Sequence, residues 1–245
     1  MNNAKLAVLI DADNAQPSVI KGLLEEVATH GIASVKRAYG DWTNSNLKGW
    51  KEVLHLWAIQ PMQQFSYTSG KNSTDSSLII DAMDLLHACK VDGFCLVSSD
   101  SDFTRLATRI RESGLLVYGF GEKKTPDAFV AACDKFIFTE ILRLSTQTVT
   151  QVAESECRAP IDLGSMEPIL RNAITMASRE DGLSPLSSVG NLLLKNSPSF
   201  DSRNYGCERL GELMRRLPFV EVKEIQSDKS TAFHIFVKLK GGAPR

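Results

Sequence analysis

No two cysteines in this chain stand two residues apart, and the five present, Cys89, Cys95, Cys133, Cys157 and Cys207, are scattered and odd in number. That excludes a disulfide framework and a thiolate zinc site, and leaves buried free thiols. Long apolar runs are absent too: none approaches the about 18 residues of a membrane span. The opening "MNNAKLAVLIDADNA" lacks a leader's pattern, because its apolar run is short, Asp11 closes it and no small-residue cleavage site follows. A cytoplasmic protein without a membrane partner is expected. No G-x-G-x-x-G follows the first apolar run, which argues against dinucleotide chemistry, and no organic cofactor is expected. The four histidines, His30, His55, His87 and His234, fall on predicted helices or a terminal hairpin. They are poor ground for catalysis by imidazoles alone. An excess of either charge is also missing: 28 Lys and Arg face 29 Asp and Glu, for a net charge of −1.

What is present is an ordinary globular composition over 245 residues, 43% hydrophobic and 23% charged. Charge is unevenly placed. Residues 165–245 hold 12 Lys and Arg against 9 Asp and Glu, and the remainder holds 16 against 20, so a mildly basic tail follows a mildly acidic front. The front alternates strands and helices. "KLAVLIDA" is a continuous apolar run, as in a strand buried on both faces. "PSVIKGLLEEVATHG" has helical spacing, with Pro17 at its start and Gly31 past its end. "ASVKRAYGDW" is a second strand, "GWKEVLHLWAIQ" a helix, and "PMQQFSYTS" a third strand. "DSSLIIDAMDLLHAC" is an amphipathic helix with Leu78, Ala82, Leu85 and Leu86 on one face. "GFCLVSS" is a buried strand, "DFTRLATRIRESG" a helix stopped by Gly114, and "LLVYGFG" and "KFIFTEIL" close the unit. This alternation predicts an α/β fold with a mostly parallel sheet covered on both sides.

The pattern fails after about residue 144. Residues 145–164 are polar and rich in Ser and Thr, and read as a linker between a domain at 1–144 and a second at 165–240. In the second, "MEPILRNAITMASRE", "PLSSVGNLLLKNSP" and "NYGCERLGELMRRLP" read as three helices. "FVEVKEI" and "TAFHIFVKLK" read as a hairpin turning at "QSDKS". Three helices and a hairpin form the winged-helix plan.

Ligands of a parallel sheet bind beyond the carboxyl ends of its strands. Asp11, followed by Asp13 and Asn14, ends the first strand; Asp100 and Asp102 follow "CLVSS"; Asp75 precedes a helix that contains Asp81. Singly, each has a plain structural reading, as a helix cap or a solvated turn residue. Together they place carboxylates from three segments at one edge. Carboxylates that share a pocket repel, and need protons or a cation between them. A hard divalent ion such as magnesium or manganese suits oxygen ligands of this kind, and such an ion supports chemistry on a phosphodiester. "DADN" also has the Asp-x-Asp spacing of haloacid dehalogenase-type phosphatases. There Asp11 would be the nucleophile and Asp13 the general acid.

"LIDADNA", "GKNSTDSSLIIDAMDLL" and "LVSSDSDFTRLATRIRESGLLVYGFG" together resemble the NYN domain, a branch of the PIN-like nucleases, over about residues 4–144. The resemblance implies a three-layer α/β/α sandwich with a parallel sheet, and a magnesium- or manganese-dependent ribonuclease leaving 5′-phosphate and 3′-hydroxyl ends. It implies Asp11, Asp75 and Asp100 as metal ligands, joined by Asp102 directly or through water. Asn14 would orient Asp11 or touch the scissile phosphate, and Lys71 and Ser73 would face the substrate backbone. Asp81 matches a recurring acid of the motif. Ser99 stands where the family often has Gly, which changes the loop and leaves the acids in place.

Residues 166–239 resemble the LOTUS domain, also called OST-HTH, a winged-helix type associated with RNA binding. That resemblance implies RNA as the partner, held around the third helix by Lys195, Arg203 and Arg209, with Tyr205 stacking on a base. The alternative for Tyr205 is packing in the core. A metal-dependent ribonuclease with an RNA-binding tail is the leading expectation. Its main competitor is an RNA-binding or regulatory protein whose acids bind a cation without turnover.

Overall fold

The computed structural model describes residues 4–65, 73–147, 164, 166–226 and 233–240. Two compact units, Met1–Thr150 and Gln151–Arg245, divide the chain.

Among the described residues of the first unit, six parallel strands pair in the order β3-β2-β1-β4-β5-β6. They are β1 (Lys5–Asp11), β2 (Ile32–Gly40), β3 (Gln60–Gln63), β4 (Gly93–Val97), β5 (Leu116–Gly121) and β6 (Lys135–Phe138). Their helices are α1 (Ile20–His30), α2 (Trp50–Leu56), α3 (Ser73–His87), α4 (Thr104–Glu112), α5 (Asp127–Ala132) and α6 (Thr139–Gln147). Side chains alternate across a strand, so β1 serves two cores at once. Ala7 and Leu9 join Leu78, Ala82, Leu106, Ile110 and Phe129 from α3, α4 and α5. Leu6, Val8 and Ile10 join Ile20, Leu23, Trp50 and Leu142 from α1, α2 and α6. That double burial is why "KLAVLID" is apolar without interruption. The result is a PIN-like α/β/α sandwich.

The chain runs from β1 outward to β2 and β3, then returns to place β4 on the other side of β1. The crevice of such a sheet lies at this reversal, outside the carboxyl ends of β1 and β4. Two local readings change. "KFIFTEIL", expected as one closing segment, divides at Phe138 into β6 and α6, and α6 continues to Gln147, past the expected end at residue 144. Its Ser and Thr residues suggest a loop, yet buried Ile141 and Leu142 anchor the helix by packing. The short α5 was not expected; it is held by buried Phe129 and Val130.

The second unit contains α7 (Met166–Met176), β7 (Ser184–Pro185), α8 (Leu186–Asn196), α9 (Leu210–Arg216), β8 (Val220–Gln226) and β9 (Phe233–Leu239). Its antiparallel sheet has the order β7-β9-β8, and the helices pack a core of Leu170, Ile174, Leu193, Leu213 and Val237. This is a winged-helix arrangement. The expected third helix is two pieces. A 3-10 turn over Ser202–Tyr205 ends at Gly206, whose φ of 69° is left-handed, and α9 starts afresh at Leu210. Most of the expected hairpin turn, residues 227–230, lies outside the described residues. No helix among the described residues is long and apolar enough to cross a membrane.

Candidate functional site

Asp11 ends β1, fully buried at the centre of the sheet. Its Oδ2 accepts from Asn14 Nδ2 at 2.7 Å and from Ser98 Oγ at 2.8 Å. Its Oδ1 accepts from the backbone N–H of Asp13 at 3.2 Å and of Asn14 at 3.3 Å. Four donors fill the usual capacity of a carboxylate. Burial raises the Asp11 pKa; the hydrogen bonds from Asn14 and Ser98 oppose that rise, and the Asp13 charge adds to it. Asn14 thus orients Asp11. A carboxylate so fully engaged has no free lone pair to attack phosphorus, which weighs against the phosphatase reading.

The other acids gather beside it. Ligand oxygens of Asp75, Asp100 and Asp102 lie within 4.8 Å of one another. Asp75 comes from the first turn of α3. Asp100 and Asp102 come from the loop after β4, where a 3-10 turn over Ser101–Phe103 leads into α4. Asp100 also caps that turn: its Oδ1 accepts from the Asp102 N–H at 2.9 Å. It is therefore both cap and cluster member. Burial, then the charges of Asp11, Asp100, Asp102 and Asp13, push the Asp75 carboxyl up to about 6. Asp11 is not a member of the three-oxygen group, and acts on it through its charge.

Short side chains hold these loops in place. Ser98 Oγ donates to Asp11 and accepts from the Asp100 N–H at 3.1 Å, so one hydroxyl joins the ends of β1 and β4. Ser99 Oγ accepts from the Glu122 N–H at 2.8 Å and ties the same loop to the end of β5. Thr74 Oγ1 donates to Asp13 Oδ2 at 3.0 Å and fixes the start of α3 to the loop after β1. Gly121 is needed where β5 passes, because a Cβ there would lie 2.7 Å from the Ser98 carbonyl oxygen. None of these contacts was read from the sequence. Ser98 and Asp11 are 87 residues apart, and only the strand order makes them neighbours.

Asp81 stands apart from the cluster. Its Oδ2 accepts from Arg37 Nη1 at 2.7 Å and from Tyr39 Oη at 2.6 Å, pinning α3 to β2. Ser73 opens α3, and Lys71 lies outside the described residues.

In the second unit the expected RNA contacts divide. Arg203 is bound to Asp201, through Nε to Oδ1 at 3.0 Å and Nη2 to Oδ2 at 2.7 Å. Tyr205 stacks on Phe200 with ring centroids 6.1 Å apart and packs against the core, and burial raises its pKa. Lys195, in the last turn of α8, and Arg209, just before α9, are exposed.

An α/β/α sandwich with acids gathered at the switch point of its parallel sheet is the PIN-like class of domain. The chain belongs to the NYN domain family, whose profile matches residues 5–143, and the OST-HTH/LOTUS domain profile matches residues 166–230 behind it. Similar solved structures include a protein of unknown function from Vibrio parahaemolyticus, 21% identical over 55% of this chain and 92% of that one, with a TM-score of 0.46. An uncharacterized protein from Nitrosomonas europaea is 27% identical over 40% of this chain and 90% of that one, with a TM-score of 0.30. A segment of a Chromobacterium violaceum protein is 32% identical over 36% of this chain and 94% of that one, with a TM-score of 0.26. No curated protein matches the chain significantly.

Proposed function

We propose that this protein is a cytoplasmic ribonuclease that hydrolyses RNA phosphodiester bonds with the help of magnesium or manganese, and that its C-terminal unit holds the RNA. The observation that carries this reading is the convergence of Asp75, Asp100 and Asp102 within 4.8 Å. The donor set fits a divalent cation. It is all oxygen, burial and then the neighbouring acids hold the Asp75 pKa at about 6, and carboxylates so placed share space well only with a proton or a cation between them. A bound divalent ion supplies Lewis acidity toward water and toward phosphoryl oxygens.

The chain's own residues do the rest. Asp75, Asp100 and Asp102 would hold the cation with Asp75 ionised, so uptake would weaken as pH falls through about 6. Asp11 adds a fixed negative charge beside them, kept in place by Asn14 and Ser98. The capping bond from the Asp102 N–H holds the Asp100 carboxylate in one orientation. Lys71 and Ser73, four and two residues before Asp75 in sequence, are assigned to binding the substrate backbone in this reading. Of the basic residues in the second unit, Lys195 and Arg209 carry the RNA contacts, since Arg203 is engaged by Asp201.

The test is a cleavage assay. The full chain and its Asp100→Asn variant are incubated with end-labelled single-stranded RNA in magnesium, manganese or chelator, with duplex RNA and DNA alongside. Cutting by the parent only, dependent on metal and reduced at least about a hundredfold by the substitution, is expected. Cutting in chelator, or undiminished cutting by the variant, overturns the reading. RNA retention without cutting by either protein would favour a non-catalytic RNA-binding protein.

A further inference from the structure

A second concavity opens at the same edge of the sheet, on the face covered by α1 and α6 rather than on the face of α3 and α4. Val97 and Phe120 form its floor, Asn14, Gln16 and Ser99 part of its rim, and Thr139 and Arg143 of α6 one wall. Thr139 is 6% exposed, yet among the described residues its hydroxyl has no hydrogen-bond partner, and the buried Nε of Arg143 has none either. Both residues line the concavity, as positions four apart on one face of a helix can. Unpartnered buried polar atoms are rare in native proteins and call for an explanation.

Size and chemistry narrow the occupant. About 10 Å³ of the concavity is open to a water-sized group, which suits a single oxygen at its inner end rather than a base or a ribose. Arg143 Nε can only donate and Thr139 Oγ1 can donate, so the occupant presents an oxygen acceptor. The guanidinium favours one that carries negative charge. Acids are near: Glu122 Oε1 lies 3.8 Å from Arg143 Nη2, but its Oε2 is taken by Lys124 Nζ at 2.8 Å. Glu140 Oε1 accepts from the Lys123 N–H, while its buried Oε2 has no partner among the described residues, and Glu122 itself lines the pocket. The pocket also adjoins the acidic crevice directly, since Asn14 and Ser98 both line it and both hold Asp11 Oδ2.

We propose that this pocket seats a non-bridging phosphate oxygen on Thr139 and Arg143, as a second phosphate contact beside the acidic crevice. The proposal rests on the reading of the chain as an RNA-cleaving enzyme, and the phosphate belongs either to the RNA chain or to free phosphate. Binding of single-stranded RNA to the full chain is measured in chelator over a range of salt, with and without inorganic phosphate, for the parent, Thr139→Val, Thr139→Ser and Arg143→Gln. Thermal melts check that each is folded. Arg143→Gln is expected to weaken binding about three- to tenfold at low salt and to make the salt slope shallower by about 0.7, the loss of one phosphate contact to a single strand. Thr139→Val is expected to weaken it about threefold with Thr139→Ser near the parent, as for loss of one hydrogen bond.

Competition by inorganic phosphate in the parent but not in Arg143→Gln identifies free phosphate as an occupant. A changed slope without competition identifies the RNA chain. Equal affinity and slope in all four proteins, with no competition, overturns the pocket. If metal-dependent cutting persists in that case, the ribonuclease reading stands without it. A slope changed by Arg143→Gln, together with no cutting by the parent in metal, overturns the ribonuclease reading alone.

Discussion

At the carboxyl edge of the first unit, ligand oxygens of Asp75, Asp100 and Asp102 lie within 4.8 Å of one another. In the second unit, Arg203 turns back onto Asp201, Arg215 reaches Glu224, and Arg171 lies 4.1 Å from the centroid of the Phe219 ring. Acids crowd together in the first place, and charges are paired with neighbours in the second. Unresolved repulsion among partly buried groups costs stability, and persists where a ligand relieves it. Internal pairs need no ligand, so nearness to a recognition helix is weak ground for assigning an RNA contact. The same contrast exists within the first unit, where Asp81 is satisfied by Arg37 and Tyr39 while Asp75 is crowded by acids.

The sharpest test of that contrast is Asp81→Ala. It strands the buried Tyr39 hydroxyl and the Arg37 guanidinium, and is expected to cost about 3 kcal/mol in urea unfolding. An unchanged midpoint would erase the distinction between the two kinds of carboxylate. Next is Tyr205→Ala, expected to destabilise the second unit by about 2 kcal/mol through lost packing on Phe200. Tyr205→Phe should keep both stability and RNA affinity. A fall in affinity at unchanged stability would return Tyr205 to the RNA surface.

Acidity provides a third test. The Asp75 pKa is raised to about 6 in the folded protein, against about 4 in an unfolded chain. Between those values the folded state binds more protons, so cation-free stability is greatest below the window and falls as pH rises through it. The Asp11 shift has the same sign. The fall is expected to be on the order of 1 kcal/mol, because water screens the partly exposed Asp75. Thermal melts in chelator should show it flattened by Asp75→Asn. Asp100→Asn should leave those melts unchanged or higher, since Asn caps as well as Asp. The smallest effects are expected from Lys195→Ala and Arg209→Ala, each weakening RNA binding about two- to threefold and lowering the salt slope by about 0.7.

The strand and helix pattern of the first unit was legible because periodicity and apolar runs are local properties. The acids were legible because they stand at strand and helix ends. What was hidden depends on pairings distant in sequence. The engagement of Asp11 by Ser98, of Asp81 by Tyr39, and of Asp13 by Thr74 cannot be read without the strand order. Local chemistry misled in other places. The Ser and Thr of α6 suggested a loop although a buried apolar face carries the helix. Gly206 was passed over as a helix residue, although its left-handed conformation divides the recognition segment.

The strand order also governs how the site breathes. β1 is hydrogen-bonded to β2 and β4, and β4 to β1 and β5, so neither strand beneath the acids has a free edge. Their amides can meet solvent hydrogen only when the sheet itself comes apart, whereas an edge strand can fray alone. Deuterium uptake should therefore be slowest at Leu6–Ile10 and Phe94–Val97 and faster at Met62 and Gln63 of β3. The acids would then stand on the last part of the domain to open, and capture of a ligand there would need no prior ordering of the floor.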